Sequence, residues 1–296
     1  MSTYNNRISI RRLHLDTLSF PINMDYKAEK ITPYGTEESK TEQVREMFDS
    51  IAPAYDFMNK AMTFGIDRIW RRIAVRKLRR YPIRTILDVA TGTGDLALLL
   101  YKKLSPEKIC GIDLSEGMLS IARDKAKRAG CDGKIAFEKG DCLNLKYAEG
   151  AFDAVTVAYG VRNFEHLDKG YAEMYRVLCS GGVICVIELS TPQNPFIRKI
   201  YDLYTNHLIP SAGKLISKDV RAYSYLPESI AAVAQGNDML AIMSRAGFIN
   251  CRCYRLTFGT CTIYMGEKSN QKGGREYKSI TVPVTGCRNT MRLACR

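Results

Sequence analysis

The run Ile86-Leu-Asp-Val-Ala-Thr-Gly-Thr-Gly-Asp95, followed by Gly111-Ile-Asp113, reads as a strand, a glycine loop, a helix and a second strand that ends in an acid. Thr85 to Val89 is apolar and β-branched enough for a buried parallel strand, and Leu96 to Leu104 carries apolar residues at helical spacing. Gly92 and Gly94, on either side of Thr93, permit a tight turn with close backbone approach to a ligand. Asp113 then falls where a carboxylate accepts both hydroxyls of a ribose. Two cofactor classes use such a unit. Gly92-Thr-Gly-Asp-Leu-Ala97 satisfies the dinucleotide fingerprint, with Asp113 at the usual separation of about 20 residues, and the same geometry suits S-adenosylmethionine.

Length and charge narrow the class. A chain of 296 residues with 46% apolar content can build one substantial core, and its longest apolar runs, such as Val183-Ile-Cys-Val-Ile187, are strand-sized. They fall short of the roughly 20 residues that cross a membrane. The ten cysteines include no C-x-x-C pair and have mostly apolar neighbours, which reads as free thiols of a reducing compartment, so a cytoplasmic location is expected. Cys251-x-Cys253 and the three histidines, His14, His166 and His207, give no metal-ligand spacing. The net charge of +13 raises the question of a nucleic-acid partner. Residues 1–23 hold three Arg against one Asp, and residues 269–296 hold six Lys or Arg against one Glu, so over half the excess lies at the ends. A basic, Gly- and Ser-containing tail without periodicity is expected to be disordered and solvated, and no nucleic-acid partner is expected.

Residues 36–80 read as helical, with Val44, Met47, Phe48 and Ile51 on one face before Pro53 interrupts. Asp67 to Arg80 carries Arg68, Arg71, Arg72, Arg76, Lys77, Arg79 and Arg80, the densest basic cluster in the body of the chain. It is either a solvated face or an attraction for phosphate or anionic lipid. From Pro82 strands near 84–90, 108–113, 134–140, 152–158 and 182–189 alternate with helices near 94–104, 116–129 and 168–178. Ser115 is placed to cap the helix after Asp113. Helices are expected at 196–209 and 228–246, the second closed by Gly247.

Phe248 to Leu256 and Thr260 to Met265 alternate as strands joined around Gly259, so the sheet ends in an antiparallel hairpin. That order resembles the seven-stranded, mostly parallel α/β fold of class I methyltransferases. Tyr55-Asp-Phe-Met-Asn59 with Trp70 beyond it, Phe152-Asp-Ala-Val-Thr-Val-Ala-Tyr-Gly-Val-Arg-Asn163, and Arg176 to Ser190 together resemble the ubiquinone/menaquinone-biosynthesis C-methyltransferases. The similarity runs from about residue 38 to Lys268. It implies three segments: an extension over 1–35, a methyltransferase domain with N-terminal helices over 36–268, and the basic tail over 269–296. The chain departs from the family at Cys179-Ser180, where Lys-Pro is usual, and at Asp67, where His is usual.

The resemblance implies transfer of a methyl group from S-adenosylmethionine to a ring carbon of a polyprenylated quinol. Gly92, Thr93, Gly94 and Asp113 would hold the methionine and ribose portions of the cofactor, and Asp141 and Cys142 would lie beside the adenine. Carbon methylation also needs the ring hydroxyl deprotonated. Arg162 is expected to stabilise the phenolate or polarise a water, because its high pKa makes it a poor base itself. Asn163 would orient oxygen, and Asp56 is the alternative base. Tyr55, Asn59 and Tyr159 are expected to contact the substrate, and Glu188 to satisfy an arginine or a helix terminus. The partners implied are the quinol at the membrane surface, reached by weak peripheral contact through Arg68–Arg80 with Trp70 and Phe64, and a second copy in a homo-oligomer. A nicotinamide-dependent dehydrogenase and a basic RNA-methylating protein are the competing readings.

Overall fold

The computed structural model describes residues 26–205, 220–270 and 288–289. His14, His207, the extension before Tyr26 and most of the basic tail lie outside them. Within them the expected alternation appears: β1 (Thr85–Val89), α4 (Asp95–Leu104), β2 (Lys108–Asp113), α5 (Glu116–Arg128), β3 (Ile135–Lys139), β4 (Phe152–Ala158), α6 (Leu167–Val177) and β5 (Leu178–Leu189). The sheet closes with β6 (Ile249–Leu256) and β7 (Cys261–Glu267). The order is β3-β2-β1-β4-β5-β7-β6, with β1 to β5 mutually parallel and β7 antiparallel to both neighbours. This is the expected class I methyltransferase architecture. A two-residue β8 (Arg288–Asn289) adds to β6, so part of the tail returns to the sheet edge.

The strand order reverses between β1 and β4, and a parallel sheet opens a crevice at the carboxyl ends of the strands on either side of such a point. Ala90 and Tyr159, the residues that leave these two strands, both have positive φ, at 50° and 61°. A side chain held there is strained, and such residues collect at functional sites. The loops press on one another: a Cβ on Gly160 would stand 2.7 Å from that of Ala90, so only glycine fits.

The helical parts depart from expectation at two places. Pro53 does not interrupt the first helix, since α2 (Lys40–Thr63) runs through it. One lost hydrogen bond is outweighed by Val44, Met47, Ile51 and Met58, which bury one face on both sides of the proline. The helix stops instead at Phe64, which is left-handed, and Gly65, which donates to the Lys60 carbonyl. The helix expected over 228–246 is two helices, α8 (Val220–Ala232) and α9 (Asn237–Arg245), separated by Gly236 at φ 59°. Gly247 does close α9, with the Phe248 N–H on the Met243 carbonyl. Seven described cysteines are free, but Cys253 is disulfide-bonded, contrary to the expectation of thiols throughout.

Candidate functional site

Two cavities meet at the crevice. The smaller is lined by Gly92 of the glycine loop, Asp113 at the end of β2, Gly140 to Leu143 after β3, and Ile112, Leu114 and Met118. Asp113 accepts the Gly92 N–H at 2.8 Å and the Ser115 N–H at 3.0 Å, which fixes its carboxylate across the strand ends. Burial pushes its pKa up, and these backbone donors partly offset that. Ser115 caps α5 by accepting the Met118 N–H, and its own hydroxyl donates to Asp49 of α2 at 2.6 Å. Asp141 is used locally, accepting the Leu143 N–H at 2.9 Å. The Cys142 thiol is driven well above its ordinary range by burial and by the neighbouring Asp141, so it is no nucleophile.

Beneath this loop Asp88 of β1 is fully buried and accepts hydroxyls from Thr91 at 2.6 Å and Thr156 at 2.5 Å. Burial pushes its pKa up to about 6. The carboxylate thus ties the glycine loop to β4. Gly94 serves a different purpose from Gly92: it is left-handed at φ 79°, and a Cβ there would stand 2.8 Å from the ring of Phe137 on β3.

The larger cavity, about 280 Å³, is walled mainly by apolar side chains. They come from α2, α3 (Asp67–Leu78), α7 (Pro195–Leu203) with the residues just after it, α8, and the 257–260 turn. Met58, Trp70, Tyr204 and Ile230 are among them. Phe48, Tyr55, Tyr159 and Asn163 line both cavities and form the partition between them. Asn163 accepts the Tyr225 hydroxyl at 3.1 Å.

Arg162 reaches this cavity from the short 3₁₀ turn Val161–Asn163 after β4. Its Nη1 donates to Glu188 Oε1 at 2.8 Å and to the Tyr159 carbonyl, and its backbone N–H donates to Glu188 Oε2 at 3.3 Å. Both side chains are almost wholly buried. Burial alone would lower the guanidinium pKa, but Glu188, with Tyr55 and Tyr225, more than reverses that, so Arg162 stays a cation. Among the described residues, two buried side-chain polar atoms lack any partner: Arg162 Nε and the Tyr159 hydroxyl. Burial holds the Tyr159 and Tyr55 pKa values up, so both phenols stay protonated and can donate. A buried donor without a partner costs about 1–3 kcal/mol, and both of these belong to residues that line the larger cavity.

The comparisons with known proteins bear on the same residues. The sequence profile described as the ubiE/COQ5 methyltransferase family matches residues 36–268. The chain belongs to that family. A Bacteroides fragilis protein named demethylmenaquinone methyltransferase is 49% identical over 245 residues, 83% of this chain and 100% of that protein. The Geotalea daltonii ubiquinone/menaquinone biosynthesis C-methyltransferase UbiE is 41% identical over 230 residues, 77% and 97% of the two chains. Among solved structures, the [4+2]-cyclase SpnF is similar in fold, with TM-score 0.53, 17% identity and 77% and 96% coverage. A neighbour titled a cyclase illustrates that this fold alone does not name a reaction.

This family member is an S-adenosylmethionine-dependent methyltransferase, which sets aside the dehydrogenase and nucleic-acid readings. The residues lining the smaller cavity suit the chemistry of that cofactor. Asp113 offers a fixed carboxylate for the ribose diol, an added Cβ on Gly92 would meet nothing within 4 Å, and the apolar walls suit a flat base.

The predicted residues divide. Gly92, Asp113, Asp141 and Cys142 line the smaller cavity, Asn59 and Arg162 the larger, and Tyr55, Tyr159 and Asn163 both. Thr93, Gly94 and Asp56 line neither. Thr93 donates to Asp56 at 2.6 Å, and Asp56 pairs with Lys125 of α5 at 2.5 Å. Lys125 also pairs with Asp95, which Arg71 reaches in turn at 3.1 Å, so the alternative base is held in a charge network behind the loop.

Arg71 is itself buried, and its stronger partner is Asp67 at 2.6 Å. That pairing accommodates the departure from the family at Asp67. It also removes Arg71 from the supposed basic surface. Trp70 is no interfacial residue either: it is buried, with its indole N–H on the Thr257 hydroxyl at 2.8 Å. Glu188 serves both an arginine and a turn, as expected. Sequence reasoning missed Lys125, Tyr225 and the residues of α7 and α8, whose partners are remote in the chain.

Proposed function

We propose that this methyltransferase acts on a ring carbon of a polyprenylated hydroquinone, the naphthoquinol of the demethylmenaquinone methyltransferases first and the related benzoquinol second. The observation that carries this is the larger cavity, apolar and adjoining the cofactor cavity, with the guanidinium of Arg162 and the protonated phenol of Tyr159 among its lining residues. An aromatic head group matches the walls, and its hydroxyl oxygens match the donors. No helix of the described residues is long and apolar enough to cross a membrane, and on this reading a prenylated quinol held in the bilayer is met at its surface.

Bound in the smaller cavity, S-adenosylmethionine supplies an electrophilic methyl group. Arg162 and Tyr159 donate to the ring oxygen, which lowers the pKa of that hydroxyl and stabilises the phenolate whose charge activates the neighbouring carbon. Asp67 lines the cavity but is committed to Arg71, so the hydroxyl proton passes to water. Phe48 and Tyr55 at the partition exclude bulk water and align the ring. The dienone formed on the substrate loses hydrogen from the methylated carbon and regains its hydroxyl, releasing one proton per turnover. Incubation with methyl-labelled cofactor and either demethylmenaquinol or the benzoquinol precursor tests this. Label in the first is expected, and transfer to neither overturns the reading.

A further inference from the structure

Helix α7 does the opposite of what an amphipathic helix normally does. Its nine residues, Pro-Phe-Ile-Arg-Lys-Ile-Tyr-Asp-Leu, include none that is buried, yet it is a well-formed helix capped by Asn194, which accepts the Phe196 and Ile197 N–H groups. Phe196, Ile200 and Leu203, at i, i+4 and i+7, form one stripe and are 74%, 55% and 65% exposed. Lys199 flanks the stripe, while Arg198 is paired with Asp202 at 3.0 Å on the far side. Leaving three large apolar side chains in water forgoes burial that a folded helix usually secures.

The inner side of the same segment lines the larger cavity through Tyr201, Tyr204 and Thr205. Tyr204 lies against Phe64, with ring centroids 6.2 Å apart, and Phe64 both lines the cavity and is 78% exposed. The cavity rim and the apolar stripe are therefore continuous. We infer that this rim is the lipid-docking surface: α7 lies in the bilayer interface with Phe196, Ile200 and Leu203 among the acyl chains. Phe64 sits beside them at the mouth through which a prenyl tail leaves the cavity.

This rests on the reading of the substrate as prenylated, and it adds an apolar contact to the Arg68–Arg80 segment, whose Arg68, Arg72, Arg76, Arg79 and Arg80 are exposed while Trp70 and Arg71 are buried. A second copy of the chain is the weaker occupant. Three stripe residues and Phe64 are few beside the roughly 20–30 residues per side of a stable interface, whereas an interfacial helix needs only a narrow apolar face and a basic flank.

The test is co-sedimentation of the full chain with neutral phosphatidylcholine vesicles in about 0.5 M salt, where the Debye length of roughly 4–5 Å suppresses attraction through the basic tails. The triple variant Phe196→Gln, Ile200→Gln, Leu203→Gln should bind vesicles more than tenfold more weakly. It should lose efficiency to a similar degree on long-chain demethylmenaquinol in vesicles, through KM. Methyl transfer to a short-chain, water-soluble quinol should be unchanged, which also shows that the variant is folded. Ile200→Gln alone should give a smaller loss of vesicle binding, as a check should the triple variant not fold. Undiminished vesicle binding by the variants, no binding by the unaltered chain, or a fall in oligomeric mass without a change in binding would each overturn the inference. Failure of the unaltered enzyme to methylate either quinol would instead overturn the substrate reading, because sedimentation needs no turnover.

Discussion

The two cavities share a partition but are built by different means. The cofactor cavity is made from strand ends and the turns that follow them, with backbone N–H groups of Gly92, Ser115 and Leu143 fixing its two carboxylates. The proposed substrate cavity is made from side chains of helices distant in sequence, and of its two charged lining residues Arg162 is held by a buried carboxylate and Asp67 pairs with Arg71. The first is rigid because the sheet is rigid. The second depends on an ion pair, and two of its lining residues carry a buried donor with no protein partner. On the proposed assignment, binding energy at the first holds the methyl donor, and at the second it is available to the developing negative charge.

The largest effect expected from breaking this contrast is structural. Glu188→Ala leaves Arg162 charged and unpaired in a buried site, which should cost about 3–5 kcal/mol of stability by denaturant unfolding. A loss under about 1 kcal/mol would mean that the cation is not held as described. At the other cavity, Asp113→Ala should cost about 2–4 kcal/mol of S-adenosylhomocysteine binding, measured by calorimetry, because hydrogen bonds donated by the ribose hydroxyls to a charged acceptor are lost. Equal affinity in a folded variant would move the ribose elsewhere.

A third expectation separates loop support from loop function. With a folded pKa of about 6 against the ordinary 3.8, Asp88 binds its proton more tightly folded than unfolded. Its contribution to stability is therefore greatest below pH 4 and is lost as pH rises to about 6, by up to about 3 kcal/mol. Comparing wild type with Asp88→Asn across that window should reveal the slope as a difference. Parallel curves would contradict it. Smallest is Tyr159→Phe, which removes a hydroxyl that has no protein partner. Thermal stability of the ligand-free protein should rise, by about 1 kcal/mol or more, because an unpartnered buried hydroxyl is removed, while turnover falls about tenfold, the value of one net hydrogen bond. A destabilised variant with normal turnover would make that hydroxyl structural.

The same contrast explains what was legible in the sequence. The cofactor end is a local pattern: Gly92, Asp113 and Ser115 lie within one strand-loop-helix-strand unit, so spacing alone places them together. Arg162 and Asn163 were reachable because they follow β4, where such sheets place their chemistry. The walls of the larger cavity were not. Trp70 is buried by Thr257, which lies 187 positions away, and Asp56 is captured by Lys125 from another helix. No window around Asp56 shows that partner, and so it read as a free base. The basic run after Asp67 likewise looked like a uniform surface, because the pairing that buries Arg71 involves Asp95 on α4 as well as Asp67.

The division of labour between the cavities is tested most directly by removing the cation together with its counter-charge, in the variant Arg162→Met, Glu188→Gln. Replacing both partners avoids the unpaired buried charge, so the protein should fold normally. Calorimetry with S-adenosylhomocysteine should give an affinity within about twofold of wild type. Single-turnover methyl transfer to the quinol should fall about 10²–10³-fold, the usual consequence of losing one preorganised donor to a developing oxyanion. Retained single-turnover rate, or cofactor affinity lost in parallel with it, would contradict the separation of the two cavities.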